Sequence, residues 1–238
     1  MTIWESGWKK RYRCTMSSVN KHETVIVRKP WGYEYLAFKN EYAALWLLHI
    51  EPGERTSMHC HPTKSTGLVV LRGDAEINFI ADSRKLSGPA KQNIRRGLFH
   101  QTHNIGNEPM LMFEIETPVD KDDLVRLHDN YGRKDHGYED SKFELPKTED
   151  CLWIEEEPAT YSFGGRKLSI ETNLSNDALE GKDPEAIVMF LRGGLTKSIN
   201  GRKHLVTAPG DVGHVKVVGH VAREMDGFDP DTVIMVIE

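Results

Sequence analysis

From Thr24 to Ile115 the chain is a succession of short β-branched, aromatic and aliphatic runs, and this rhythm most limits the folds open to it. The runs are Thr24 to Val27, Glu34 to Phe38, Ala43 to Ile50, Gly67 to Leu71, Ala75 to Ile80, a short one at Ile94, Leu98 to His103 and Met110 to Ile115. Turn residues punctuate them at Pro30, Gly32, Pro52-Gly53, Gly73-Asp74, Ser87-Gly88-Pro89 and Gly106-Asn107. Short strands at this spacing, with hardly any helical period, predict an all-β sandwich or barrel, with a jelly roll as the natural candidate. Asp120 to His128 is the one early stretch that reads as helical, with acids first and Leu124, Val125 and Leu127 following.

Ahead of the strands, residues 1–22 form a polar arm. Its basic run Lys9, Lys10, Arg11 and Arg13 lies between Trp4, Trp8 and Tyr12 and reads as solvated or partner-covered rather than as an anion site. After them, residues 134–160 are charged and irregular and read as a linker. Residues 161–238 then form a second β-rich region that echoes the first. Ile187 to Gly193 (IVMFLRG) repeats the pattern of Leu68 to Gly73 (LVVLRG), and the closing VIMVIE repeats LMFEIE at 111–116. Counting back from Gly193 by the first copy's spacing reaches Leu179 and Gly181 where the first copy has histidines; counting forward reaches His220. The expectation is a degenerate second barrel without a metal of its own, used for packing or dimer contacts. The 238 residues would then divide into domains at 23–133 and 161–238.

A net charge of −5 gives no support for nucleic-acid binding as the main task. The three cysteines, Cys14, Cys60 and Cys151, form neither a disulfide framework nor a zinc-knuckle pattern. Neither a membrane-length apolar run nor a signal-peptide core is present. These features point to an unprocessed cytoplasmic protein, expected as a homodimer, with a small molecule as its partner.

Chemistry concentrates in Pro52 to Gly73. His59 and His61 stand one residue apart, so on a strand both imidazoles face the same side, as metal ligands would. This stretch resembles the first motif of the cupins, G-x5-H-x-H-x3,4-E-x6-G, through Gly53, His59, His61 and Gly73. The second cupin motif is matched by Gly97, His100 and Asn104. The resemblance implies a jelly-roll barrel holding a divalent transition metal (Zn, Fe, Ni, Co or Mn) on His59, His61 and His100. The motif's glutamate position holds Thr66, which points to a three-histidine site with open positions or to one that has decayed. Cys60 is expected to point away from the metal, and His103 to lie on the opposite face from His100. Lys64 and Arg72 read as solvated strand ends.

Two further motifs narrow the resemblance. Lys29-Pro-Trp-Gly-Tyr-Glu-Tyr35 and Asp122-Asp-Leu-Val-Arg-Leu-His-Asp-Asn-Tyr-Gly-Arg133 resemble the opening and closing segments of a particular cupin domain. It is the mannose-6-phosphate isomerase domain that ends bifunctional mannose-1-phosphate guanylyltransferases. Their nucleotidyltransferase part has no counterpart here. The resemblance implies an aldose–ketose isomerase acting on a phosphorylated or nucleotide-linked sugar. In such an enzyme Arg126 and Arg133 would contact phosphate or stabilise developing charge, and Glu114 would shuttle the proton. The plainer alternatives are a helix-surface pairing of Arg126 with Asp122 or Asp123, and a structural strand-edge role for Glu114. Two other functions are compatible with the residues: a three-histidine Fe- or Ni-dependent dioxygenase or lyase, and a non-catalytic carbohydrate-binding cupin.

Overall fold

A computed structural model describes residues 25–120, 122–128 and 144–238. The basic arm and Arg133 lie outside the described residues. The first half contains β1 Val27–Lys29, β2 Gly32–Lys39, β3 Ala44–Ile50, β4 Met58–Cys60, β5 Ser65–Arg72, β6 Asp74–Phe79, β7 Ser83–Ser87, β8 Ala90–Ile94, β9 His100–Asn104, β10 Met110–Thr117 and β11 Val125–His128. They form two sheets, ordered β1-β2-β3-β10-β5-β8 and β11-β4-β9-β6-β7. Between the sheets lie Leu48, Ile50, Leu68, Val70, Ala75, Ile77 and Met112. The two-residue alternation read from the sequence therefore has its physical cause in a shared interior, and the all-β expectation holds.

The second half contains β12 Ala159–Phe163, β13 Arg166–Glu171, β14 Ile187–Arg192, β15 Leu195–Ile199, β16 Arg202–Leu205, β17 Val212–His214, α1 Val215–Glu224, β18 Gly227–Phe228 and β19 Val233–Ile237. Its larger sheet, β12-β13-β19-β14-β17, lies against the back of the first half's larger sheet. Leu45, Leu47, Val69, Phe113 and Ile115 meet Leu168, Ile187, Met189, Met235 and Ile237 in one continuous core. β10 is consequently buried on both faces, which is why LMFEI reads as a nearly unbroken apolar run.

Polar contacts stitch the joint. Asn93 imitates a strand backbone, its amide donating to Val212 O at 2.9 Å and accepting from Val212 N at 3.1 Å. Arg166 Nε donates to Leu71 O, and Asn40 Nδ2 to Leu191 O, each at 3.0 Å. Backbone passes so close at Gly67 that a Cβ there would stand 2.5 Å from Gly210 O.

Three expectations are corrected. Asp120 to His128 is not helical: its end is β11, paired with β4. The acids that resembled a helix start serve as loop acceptors instead, Asp123 taking the backbone N–H of Thr63 and Lys64. The linker does not remain irregular to residue 160. Leu152 and Ile154 are buried in the shared core, and Tyr35 Oη and Ala37 O accept their backbone N–H groups at 2.9 Å. The second half also carries a helix, α1, with Val215, Val218, Gly219 and Ala222 buried at helical spacing. No helix among the described residues is long and apolar enough to cross a membrane.

Candidate metal centre

The site forms where β4, β9, β10 and β11 converge. β4 pairs with β9 at His59 and His100, so these two imidazoles project from adjacent strands to the same face. His61 follows two residues after His59, and the three ring centroids lie 4.5, 5.1 and 5.7 Å apart. Each Nδ1 faces a backbone carbonyl: His59 toward Ser57 O at 2.8 Å, His61 toward Asp123 O at 2.6 Å, His100 toward Leu98 O at 3.0 Å. With the ring proton donated there, each Nε2 keeps its lone pair.

The fourth member of the cluster is Glu114. One donor atom from each of His59, His61, His100 and Glu114 falls within 4.8 Å of the others. Glu114 is not at a strand edge: β10 lies between β3 and β5, and Glu114 faces Trp46 and Leu68 across the two ladders. Thr66 does leave the motif's usual carboxylate position neutral, but a carboxylate reaches the imidazoles from another strand. The three-histidine expectation is revised to three histidines and a glutamate. The signal in the sequence is the Glu114, Glu116 pair, two acids at period 2 in an otherwise apolar strand.

Burial holds all three imidazoles neutral. His59 is pushed well below the ordinary histidine range by burial and by His100 and His61, His61 is lowered mainly by burial, and His100 falls to about 4 for the same reason. Nε2 of His61 and of His100 are buried without a hydrogen-bond partner among the described residues. Leaving such an atom unpaired costs about 1–3 kcal/mol. Neutral imidazoles with inward lone pairs beside a carboxylate are the donor set of a transition-metal site, and the residues fit the ion.

The surrounding cleft has about 590 Å³ of empty space, part of it open to solvent. Both framing motifs reach it. Lys29, Trp31 and Glu34 come from the first, and Leu124 and Arg126 from the second. The turn that presents Trp31 depends on Gly32, where φ is +146° and a Cβ would stand 1.9 Å from His49 O. Arg126 pairs in register with His59 and so shares its face, rather than lying on a helix surface. Lys64 is not a solvated strand end: it is 1% exposed, and its Nζ donates to Glu116 Oε1 at 2.8 Å. Arg72 is exposed, as expected. His103 faces away from the site and contacts Arg55 at 3.2 Å, and Cys60 is buried. His220 is exposed on α1, and Leu179 belongs to an apolar core, so neither extends the site.

Curated relatives match somewhat under half of this chain. A mannose-1-phosphate guanylyltransferase of Escherichia coli is 29% identical over 119 residues, covering 48% of this chain and 25% of the relative. The xanthan biosynthesis protein XanB of Xanthomonas campestris is 26% identical over 110 residues, covering 45% and 23%. The chain thus spans about a quarter of the length of these curated relatives. Among solved structures, a Klebsiella pneumoniae protein with a double-stranded β-helix domain aligns at 17% identity and a TM-score of 0.40, covering 52% of this chain and all of that one. The family profile described as Mannose-6-phosphate isomerase C-terminal matches residues 15–129, so this half of the chain resembles the isomerase cupin domain that both framing motifs indicate.

Proposed function

We propose that residues 23–133 form a metal-dependent cupin enzyme acting on a phosphorylated or nucleotide-linked sugar, most concretely an aldose–ketose isomerase of the mannose-6-phosphate type. The observation that carries this reading is the convergence of His59, His61, His100 and Glu114 in one cleft, with each imidazole Nδ1 already turned to a backbone carbonyl. Zn, Fe, Ni, Co or Mn suits such donors better than Mg or Ca. The bound ion would supply Lewis acidity at the sugar carbonyl and its neighbouring hydroxyl.

The chain's own residues do the rest. With Glu114 among the imidazoles and Glu34 paired with Lys29, Glu116, the carboxylate nearest His61, is the residue assigned to carry the proton between C1 and C2. Arg126 bears on the phosphate or on the enediolate charge. Arg133 shares that role by resemblance alone. Charge supports an anionic substrate: Lys29 is paired with Glu34 at 3.0 Å and Lys64 with Glu116 at 2.8 Å. A divalent ion set against Glu114, together with Arg126, would leave the described cleft doubly positive, matching a phosphate dianion.

Protein purified without chelators is expected to carry a near-stoichiometric transition metal and to interconvert mannose 6-phosphate and fructose 6-phosphate. The His59→Ala/His100→Ala variant is expected to do neither. Metal content unchanged in that variant would sink the site assignment. Bound iron with oxygen uptake and no isomerisation would move the assignment to an oxygenase, and sugar binding that survives metal loss would indicate a binding module.

A further inference from the structure

Lys64 is 1% exposed at the wall of the cleft, and its ammonium is tied to Glu116, through which its charge bears on the site. The Glu116 oxygen that accepts from Lys64 Nζ at 2.8 Å is also the one 3.7 Å from His61 Nε2. Glu114 stands two residues earlier on the same face of β10, with its Oε1 4.0 Å from that nitrogen. Two carboxylates therefore approach one buried imidazole from similar distances, and the nearer is tied to a buried ammonium. Glu114 already has an oxygen within 4.8 Å of all three imidazole donors, and Glu116, held by Lys64, stands outside that cluster.

We infer that Lys64 is a positioning residue that holds Glu116 off the metal, so that the site offers three imidazoles and a single carboxylate. The inference rests on the metal reading proposed above. Its physical basis is the cost of the alternative. If Glu116 Oε1 moved onto the ion, it would abandon the Lys64 ammonium at 1% exposure, where an unpaired charge is strongly unfavourable. The consequence is chemical: a second carboxylate would neutralise a divalent ion and take a coordination position that a sugar oxygen needs.

Cobalt(II) binding and its d–d absorption test this without reference to turnover. Lys64→Met is expected to tighten cobalt binding about tenfold or more and to change the position and intensity of the d–d band. Glu116→Gln is expected to leave the wild-type spectrum unchanged, and Lys64→Met/Glu116→Gln to return the Lys64→Met spectrum to the wild-type form. Wild-type affinity and spectrum in Lys64→Met would overturn the inference, as would a changed spectrum in Glu116→Gln, which would make Glu116 a ligand already. Should Lys64→Met not fold, Lys64→Gln, which removes the charge and keeps a polar side chain, takes its place with the same two outcomes. A wild-type protein that takes up no cobalt would remove the metal reading itself, and this inference with it.

Discussion

The two halves of the molecule build the same sheet, and its inner side is apolar in both except where the first half opens the cleft lined by His59, His61, Glu114 and Glu116. β2-β3-β10-β5-β8 in the first half and β12-β13-β19-β14-β17 in the second have the same order of neighbours. Even the irregularity recurs: Leu111 faces Arg72 and Met112 faces Val70, while Val233 faces Arg192 and Ile234 faces Phe190. Glu114 faces Leu68 in the first half, and Val236 faces Val188 at the matching place in the second. There Val236 packs with Phe190, Ile234, Leu195 and the buried side of α1. Among the described residues the second half also has no strand between β13 and β14 to match β4, which carries His59 and leads directly into His61. One scaffold thus becomes a polar cleft or a dry core according to a few positions on one face of its central strand.

The largest expected effect separates the halves by pH. His100 titrates at about 4 when folded and near 6.5 when unfolded, and His59 and His61 are lowered in the same direction. Below about 6.5 the unfolded chain holds the extra protons, so folding stability falls as pH drops, the share of His100 levelling off below about 4. His100 contributes a slope approaching about 1.4 kcal/mol per pH unit in that range, and His59 and His61 add to it in the same sense. Urea titrations of metal-free protein at several pH values would show it; a flat profile would contradict the burial of three neutral imidazoles. Next, Val236→Glu gives the second half the first half's residue without its partners. It should cost about 3–5 kcal/mol by chemical denaturation, because the new charge is buried and unpaired; a negligible cost would mean that the two interiors are less different than their residues imply.

A smaller effect concerns the site alone. Glu114→Val, the reverse exchange, should weaken metal binding by about 10–100-fold, a factor typical even for groups that only orient ligands. Equilibrium dialysis would measure it, and unaltered affinity would return Glu114 to a purely structural role. The smallest effect is at the joint. Asn93→Ala removes both hydrogen bonds to Val212 and should cost about 1–3 kcal/mol in a denaturant melt, with the metal affinity of the first half preserved.

The central strands were legible because they have a dry inner side, and alternation survives wherever a shared interior selects every second residue; β16, exposed along its whole length, has no such side. The helix α1 was legible in principle through Val215, Val218, Gly219 and Ala222, but in a region dominated by strand-like runs its period is easily overlooked. At Asp120 to His128 local propensity was overruled. Its acids found acceptor roles in a loop, and the edge of β4 offered backbone partners that a free helix would not have had.

By itself the sequence determined the all-β class, the His59, His61 pair and the stretch framed by the two motifs, since each rests on local spacing. Only the tertiary structure decided which carboxylate stands beside the imidazoles, where Lys64 goes, and that the two large sheets share one core. Those depend on strands far apart in the chain. Thr66 lies within the motif, yet Glu114 reaches the same cluster from β10, where register rather than sequence distance sets what each side chain meets.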